Sequence, residues 1–480
     1  MIIKVEKNKK RLKKELNYFM IRKEVDEREG KNMSVCKERA WETLKKLSFE
    51  RVTGTKEELK AANILKEECE KAGVEAHLEA YEIDMPEITE VSFAVTKPEY
   101  KEYHVIGIGN SGETSDQGIT APFVYIENAL DVDMANVEGK ICLATGRLTQ
   151  KAIEKLAEQG ALGYIVIHGS FYDEKEMISE LRPRNARQKE DLNLPGIVMH
   201  ISDAEDLVRS CPEEVKIVLK QNRKAKGTAH NVVATIEGTH PRLKKEIVTF
   251  TAHYDSVRYA PGAWDNATGS ITILELLHYY QENKPARTVK FIWCGSEEIG
   301  LVGSKDYCKQ HKDELKDHIF NINFDMTGVT LGYEHFCCSA SEDVKHIVEY
   351  LAKMENYALN TKMDLYPSDS TSFANAGVPS CTFARLQPVG GAQIHNRHDT
   401  MDHLDPNAFM KTLNFVVKFS SQVINAPTNI IPRAFSKELL TKMEEHKKMM
   451  AEMEGKKEDK DKEKQKEDKV DKSDKEEKAA

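Results

Sequence analysis

Four short segments carry side chains able to ligate a metal or move a proton: His253-Tyr-Asp255, Asp265-Asn266, Glu297-Glu298 and Asp325. A fifth, His395-Asn-Arg-His-Asp-Thr400, adds another imidazole. Neutral imidazole with carboxylate oxygens is a mixed donor set that suits paired zinc ions, with Mn2+ or Co2+ as substitutes. Singly, each segment is weak. An Asp before a helix is usually a plain N-cap, adjacent acids usually form a solvated turn, and a lone His is usually structural. His398 also rivals His395 within one loop. The ordered set is what points to chemistry. Two metals sharing a water lower its pKa and clamp a tetrahedral intermediate, so a peptide carbonyl becomes open to attack at neutral pH. A general base must then take the water's proton, and Glu297, next to a ligating Glu298, is the natural candidate.

The elements that must position these groups can be read around them. Apolar runs at Asn231 to Ile236, Ile247 to Ala252, Val289 to Cys294, Ile319 to Phe324 and Ser380 to Ala384 are strand-sized, and their largely apolar character suits strands covered on both faces. His253, Glu297 with Glu298, and Asp325 each follow one of these runs closely. In open α/β sheets ligands bind outside the carboxyl ends of the strands, so groups remote in sequence converge there. Asp265 sits at the mouth of an apolar-striped helix containing Ile271, Leu274, Leu277 and Tyr280, with Asn266 or a neighbour as its cap. Strands alternate with helices such as Glu57 to Ala72, which predicts a doubly wound α/β sheet, mixed but mostly parallel, with helices on both faces. The stretch from 96 to 225 is punctuated differently and holds no ligand-like cluster, so it is expected to be an α/β insertion with binding or lid work.

Composition bounds the remaining possibilities. The chain has 480 residues and 40% hydrophobic content, enough for two cores. Residues 1–32 carry a net charge of +5, and the tail 456–480 has ten Lys and ten acids, which leaves the body between them near −14. That balance argues against a nucleic-acid footprint. The tail has almost no apolar residue and is expected to be disordered. The segment 427–455 before it is expected to hold a helix carrying Leu439, Leu440, Met443 and Met450 on a partly apolar stripe. The nine cysteines are scattered without a Cys-x-x-Cys pair, there is no signal-like apolar run, and no membrane span is evident, so a cytoplasmic location is expected. Residues 1–33 form a charged extension, and initiation at Met33 is the corresponding hypothesis; native peptides from residues 1–32 would refute it.

Taken together, the motifs closely resemble the cocatalytic di-zinc exopeptidase family that includes bacterial leucyl-type aminopeptidases, glutamate carboxypeptidases and glutaminyl cyclases. The resemblance covers a catalytic scaffold at 34–95 and 226–426, and 96–225 looks like a protease-associated domain. It implies that His253 and Asp325, within Asn323-Phe-Asp-Met-Thr-Gly328, hold one zinc and that Glu298 and His395 hold the other. By the same resemblance Asp265 bridges both ions, Glu297 is the base and Asp255 steadies His253. Two departures stand out: the family's frequent Tyr before the last His is Ile394 here, and its Ser-Asp-His segment reads Ser368-Asp-Ser370. The resemblance implies an aminopeptidase acting on peptides, with a carboxypeptidase or dipeptidase as the main alternative. The latter needs a cation for the substrate carboxylate, for which Arg385 and Arg397 are the candidates. A glutaminyl cyclase and a non-enzymatic peptide-binding scaffold are further readings. Oligomeric state is not legible.

Overall fold

The computed structural model describes residues 35–145, 148–178 and 193–445. The extension 1–33 and the tail 456–480 therefore lie outside the described residues. Two eight-stranded sheets organise the rest. The first runs Ala76–Asp84, Lys226–Ile236, Thr288–Cys294, Ile247–His253, His318–Phe324, Ser380–Leu386, Tyr333–Ser339 and Leu359–Met363 in spatial order. Its four central strands, from Thr288–Cys294 to Ser380–Leu386, are mutually parallel and the flanking pairings are mixed. Every residue of Ile247–His253, Thr288–Cys294 and His318–Phe324 is buried, as expected of strands covered on both faces. The helix Thr268–Glu282 lies in the same core, with Ile271, Leu274, Leu277 and Tyr280 fully buried.

These observations match the mixed, mostly parallel α/β scaffold with an inserted α/β unit. The insertion makes the second sheet, ordered Lys101–Tyr103, Glu87–Lys97, Glu214–Asn222, Ile119–Tyr125, Ile141–Ala144, Gly163–His168, Gly196–His200 and Val105–Gly107. The chain crosses into it between Asp84 and Glu87, ahead of the division expected at 96, because Glu87–Lys97 pairs along its length with Glu214–Asn222. An alternating run does not announce which sheet it will join. The entering and leaving segments lie side by side: Asp84 is opposite Lys226 in the first sheet, and Glu87 is opposite Asn222 in the second.

At the C-terminal end a helix occupies 437–445, where Leu439 and Met443 are buried and Leu440 is exposed. Two residues of the expected apolar stripe are thus packed; Met450 lies outside the described residues. Among the described residues no helix is long and apolar enough to cross a membrane.

Arg385 belongs to this framework. Its guanidinium donates to Glu334 at 2.7 Å and to the Val329 carbonyl at 2.6 Å, while Tyr357 and Thr412 hydroxyls donate to the other Glu334 oxygen. Arg385→Ala strands a buried carboxylate, so it is expected to lower unfolding free energy by about 3 to 5 kcal/mol. Denaturant unfolding checks this, and short-peptide turnover per folded molecule should be unchanged.

Candidate metal centre

Parallel strands share one polarity, so the residues following Ile247–His253, Thr288–Cys294 and His318–Phe324 emerge on the same edge of the sheet. His253, Glu297, Glu298 and Asp325 meet there. Asp265 reaches them from the irregular turn Ala263–Ala267 that opens the helix Thr268–Glu282. Asn266 braces the start of that helix: its Oδ1 accepts from Gly269 N–H at 2.9 Å, and its Nδ2 donates to the Phe324 carbonyl at 2.9 Å. One side chain therefore ties the turn of Asp265 to the strand that delivers Asp325.

The Asp265 carboxylate lies between two imidazoles. Its Oδ1 is 3.1 Å from His253 Nε2 and its Oδ2 is 3.1 Å from His395 Nε2. His253 Nε2 is also 3.6 Å from Asp325 Oδ1, and His395 Nε2 is 3.2 Å from Glu298 Oε2. Donor atoms gather in three overlapping groups: His253 with Asp265 and Asp325, Asp265 with Glu298 and His395, and His253 with Glu297 and Glu298. The five metal-ligand candidates and Glu297 are thus brought to one place, His395 being the most exposed of the ligand candidates, while the rival His398 lies beside Asp173 instead.

Asp255 does more than steady His253. Its Oδ1 is 3.5 Å from His253 Nδ1, but its two oxygens also accept from the backbone N–H groups of Glu297 and Glu298 at 3.1 and 3.2 Å. Thr53 donates to it as well, at 3.1 Å. Sequence reasoning missed Asp399, whose carboxylate accepts from the N–H groups of Trp264 and Asp265 at 2.7 and 3.1 Å and so fixes the backbone of the central aspartate. It also missed Arg51, fully buried, which donates to the carbonyls of Tyr254 and Gly262 and clamps the chain after His253 to the chain before Asp265. Nothing in sequence spacing marks contacts between groups so far apart.

The electrostatics suit a cation at this place. Burial, then Glu298 and Asp325, push Glu297 well above the usual carboxylate range against the pull of His253. Burial and Asp265 push Glu298 up, and burial and the same Asp265 push Asp399 up to about 7. Burial opposes the charged form of His395, yet Asp265 and Glu298 outweigh it and hold the imidazole up at about 11. Glu298 Oε1 and Asp325 Oδ1 are buried and accept no hydrogen bond. Buried carboxylates are normally paired, hydrogen-bonded or on a metal. Two imidazoles and three to four carboxylates with orphaned oxygens fit divalent ions of the zinc type.

Residues 231–420 match the family model described as Peptidase family M28. Aminopeptidase YwaD of Bacillus subtilis is 28% identical over 297 residues, covering 61% of this chain and 62% of the relative. A probable leucine aminopeptidase of Arthroderma benhamiae is 31% identical over 207 residues, covering 39% and 57%. The matched part of the chain thus spans less than two thirds of these aminopeptidases. Carboxypeptidase Q of Homo sapiens is 25% identical over 410 residues, covering 80% and 84%. Among solved structures, BSAP, a zinc aminopeptidase from Bacillus subtilis, superposes with a TM-score of 0.70 at 23% identity, covering 84% of this chain and 98% of that one. The aminopeptidase of Aneurinibacillus sp. strain AM-1 gives 0.66 at 22% identity, covering 84% and 97%. These superpositions establish a shared fold. The matched segment contains every one of the converging donors, and over that segment the chain is similar to peptidase family M28.

Proposed function

We propose that this chain is a zinc-dependent aminopeptidase that removes N-terminal residues from peptides. The observation that carries the reading is Asp265 with one oxygen 3.1 Å from each of two imidazoles, an arrangement suited to bridging two ions. His253 and Asp325 would hold one zinc, Glu298 and His395 the other, and Asp265 both. When bound, such a pair supplies Lewis acidity for the scissile carbonyl and lowers the pKa of water.

The chain's own groups do the rest. Glu297 takes the proton of the attacking water at its carboxylate and gives it to the leaving amine nitrogen as the C–N bond breaks. Its backbone cannot drift, because Asp255 accepts from it and from Glu298. Burial withholds bulk water from Glu297, and divalent charge nearby offsets the neighbouring acids, which brings a carboxylate toward the working range of a base.

Free α-amino groups suit a site this rich in carboxylates. A carboxypeptidase would need a cation for the substrate carboxylate, and the two candidates are engaged: Arg385 with Glu334, and Arg397 with Glu174. The carboxypeptidase reading keeps the support of the Homo sapiens relative, so the assay must separate the two. A mass-spectrometric time course on free and N-acetylated peptides, with zinc and with a chelator, is expected to show stepwise loss of N-terminal residues from the free peptides alone, abolished by chelation. Shortening from the C-terminus would overturn the assignment, and no cleavage would favour a binding scaffold.

A further inference from the structure

His395 is placed differently from the other donors. It does not follow a strand directly, its side chain is 35% exposed, and its backbone is left-handed with φ of 61°. A non-glycine residue holds that conformation only where its surroundings enforce it, since the strain is on the order of 1 kcal/mol or more. Toward the N-terminus the support is thin: the loop before it contains Gly390 and Gly391 and has no regular structure. Support must come from the residues that follow. Asn396 makes part of it by accepting from His398 N–H at 2.8 Å and donating to Gln393 at 2.9 Å.

The remainder comes from the inserted sheet. After its strand Gly163–His168, the turn Ser170 to Glu174 lies against the His395 loop. Glu174 pairs with Arg397 Nη1, and the Tyr172 carbonyl accepts from Arg397 Nη2 at 3.5 Å. Asp173 Oδ1 lies 3.2 Å from His398 Nε2. Asp173 is itself held, because its other oxygen accepts from Ser170 N–H and Oγ at 2.7 and 2.8 Å, and its side chain is only 7% exposed. One carboxylate thus fixes its own turn and presents the free oxygen to the loop.

We propose that Asp173 and Glu174 are positioning residues for His395, so that the inserted domain sets the affinity of the metal position shared by Glu298 and His395. The inference rests on the di-zinc reading and not on which end of a peptide is cut. Partners that orient metal ligands are commonly worth about 10- to 100-fold in affinity. Exposed pairs give less each, so about tenfold is expected for the two together.

The test is a zinc titration of the full chain against a chromophoric chelator, with His395→Ala identifying which of the two binding steps belongs to that position. Asp173→Asn with Glu174→Gln is expected to weaken that step about tenfold and leave the other unchanged, with the thermal midpoint of the metal-free protein preserved. Glu176→Gln removes a neighbouring charge that makes no contact with the loop and should change neither step. In a cycle of Glu174→Gln and Arg397→Gln, the double variant should be no weaker than either single one. Unchanged affinities in the paired variant overturn the positioning role while leaving the metal centre intact. Equal weakening of both steps, or an equal effect from Glu176→Gln, overturns it in favour of long-range charge. A wild-type chain that binds no zinc overturns it together with its premise.

Discussion

Glu297→Gln is expected to lower kcat by about 10²- to 10⁴-fold, the range general-base catalysis usually contributes, while zinc content stays at two per chain. Glutamine keeps the shape and the backbone hydrogen bonds but cannot accept the water's proton. The backbone of this residue is held by Asp255, so the substitution should leave the Glu298 ligand where it is. A loss confined to kcat, with KM nearly unchanged, marks an interaction made in the transition state. The competing possibility is built into the geometry, because Glu297 also groups with His253 and Glu298 as a donor. If it is a ligand, the variant will lose zinc along with activity. If turnover is normal, the base lies elsewhere. Metal analysis and steady-state kinetics on the same preparation decide among these outcomes.

Asp265→Ala is expected to act on the metal itself. Its carboxylate stands between His253 and His395, with a different oxygen 3.1 Å from each imidazole nitrogen. Losing an outer-shell partner costs about 10- to 100-fold in affinity, so losing a shared ligand should exceed about 100-fold for at least one ion. Zinc content after dialysis should fall below two per chain, and added zinc should restore activity only at far higher concentration. Retention of both ions at wild-type affinity would mean that Asp265 does not bridge them. The two substitutions thus separate chemistry from metal binding in one protein.

His253, Glu297, Glu298 and Asp325 were legible in sequence because each closely follows an apolar run and parallel strands turn order along the chain into proximity at one edge. The helix-mouth Asp265 and its neighbour Asn266 were legible for a local reason, their place before an apolar stripe. What escaped was whatever acts across the chain. Asp399 reaches Trp264, 135 residues away, through backbone N–H groups that leave no mark in side-chain patterning. Arg51 works through carbonyls in the same way. Asp173 and Glu174 sit in a stretch that showed no ligand spacing, since residues that brace a ligand need none. The division expected at 96 falls inside the strand Glu87–Lys97, because strand alternation fixes a face but not a partner.

The juxtaposition of Asp84 with Lys226 and of Glu87 with Asn222 also bears on how the chain finds its shape. Asp84 and Lys226 are 142 residues apart, and bringing such distant points together from an open coil is entropically costly and slow. If the second sheet forms first, its paired strands Glu87–Lys97 and Glu214–Asn222 already hold both ends of that long excursion together. The two flanking strands of the catalytic sheet then need close only a gap as short as a hairpin connection. Their pairing becomes a local event in kinetic terms, and an interruption of nearly a third of the chain need not slow the assembly of the sheet it interrupts.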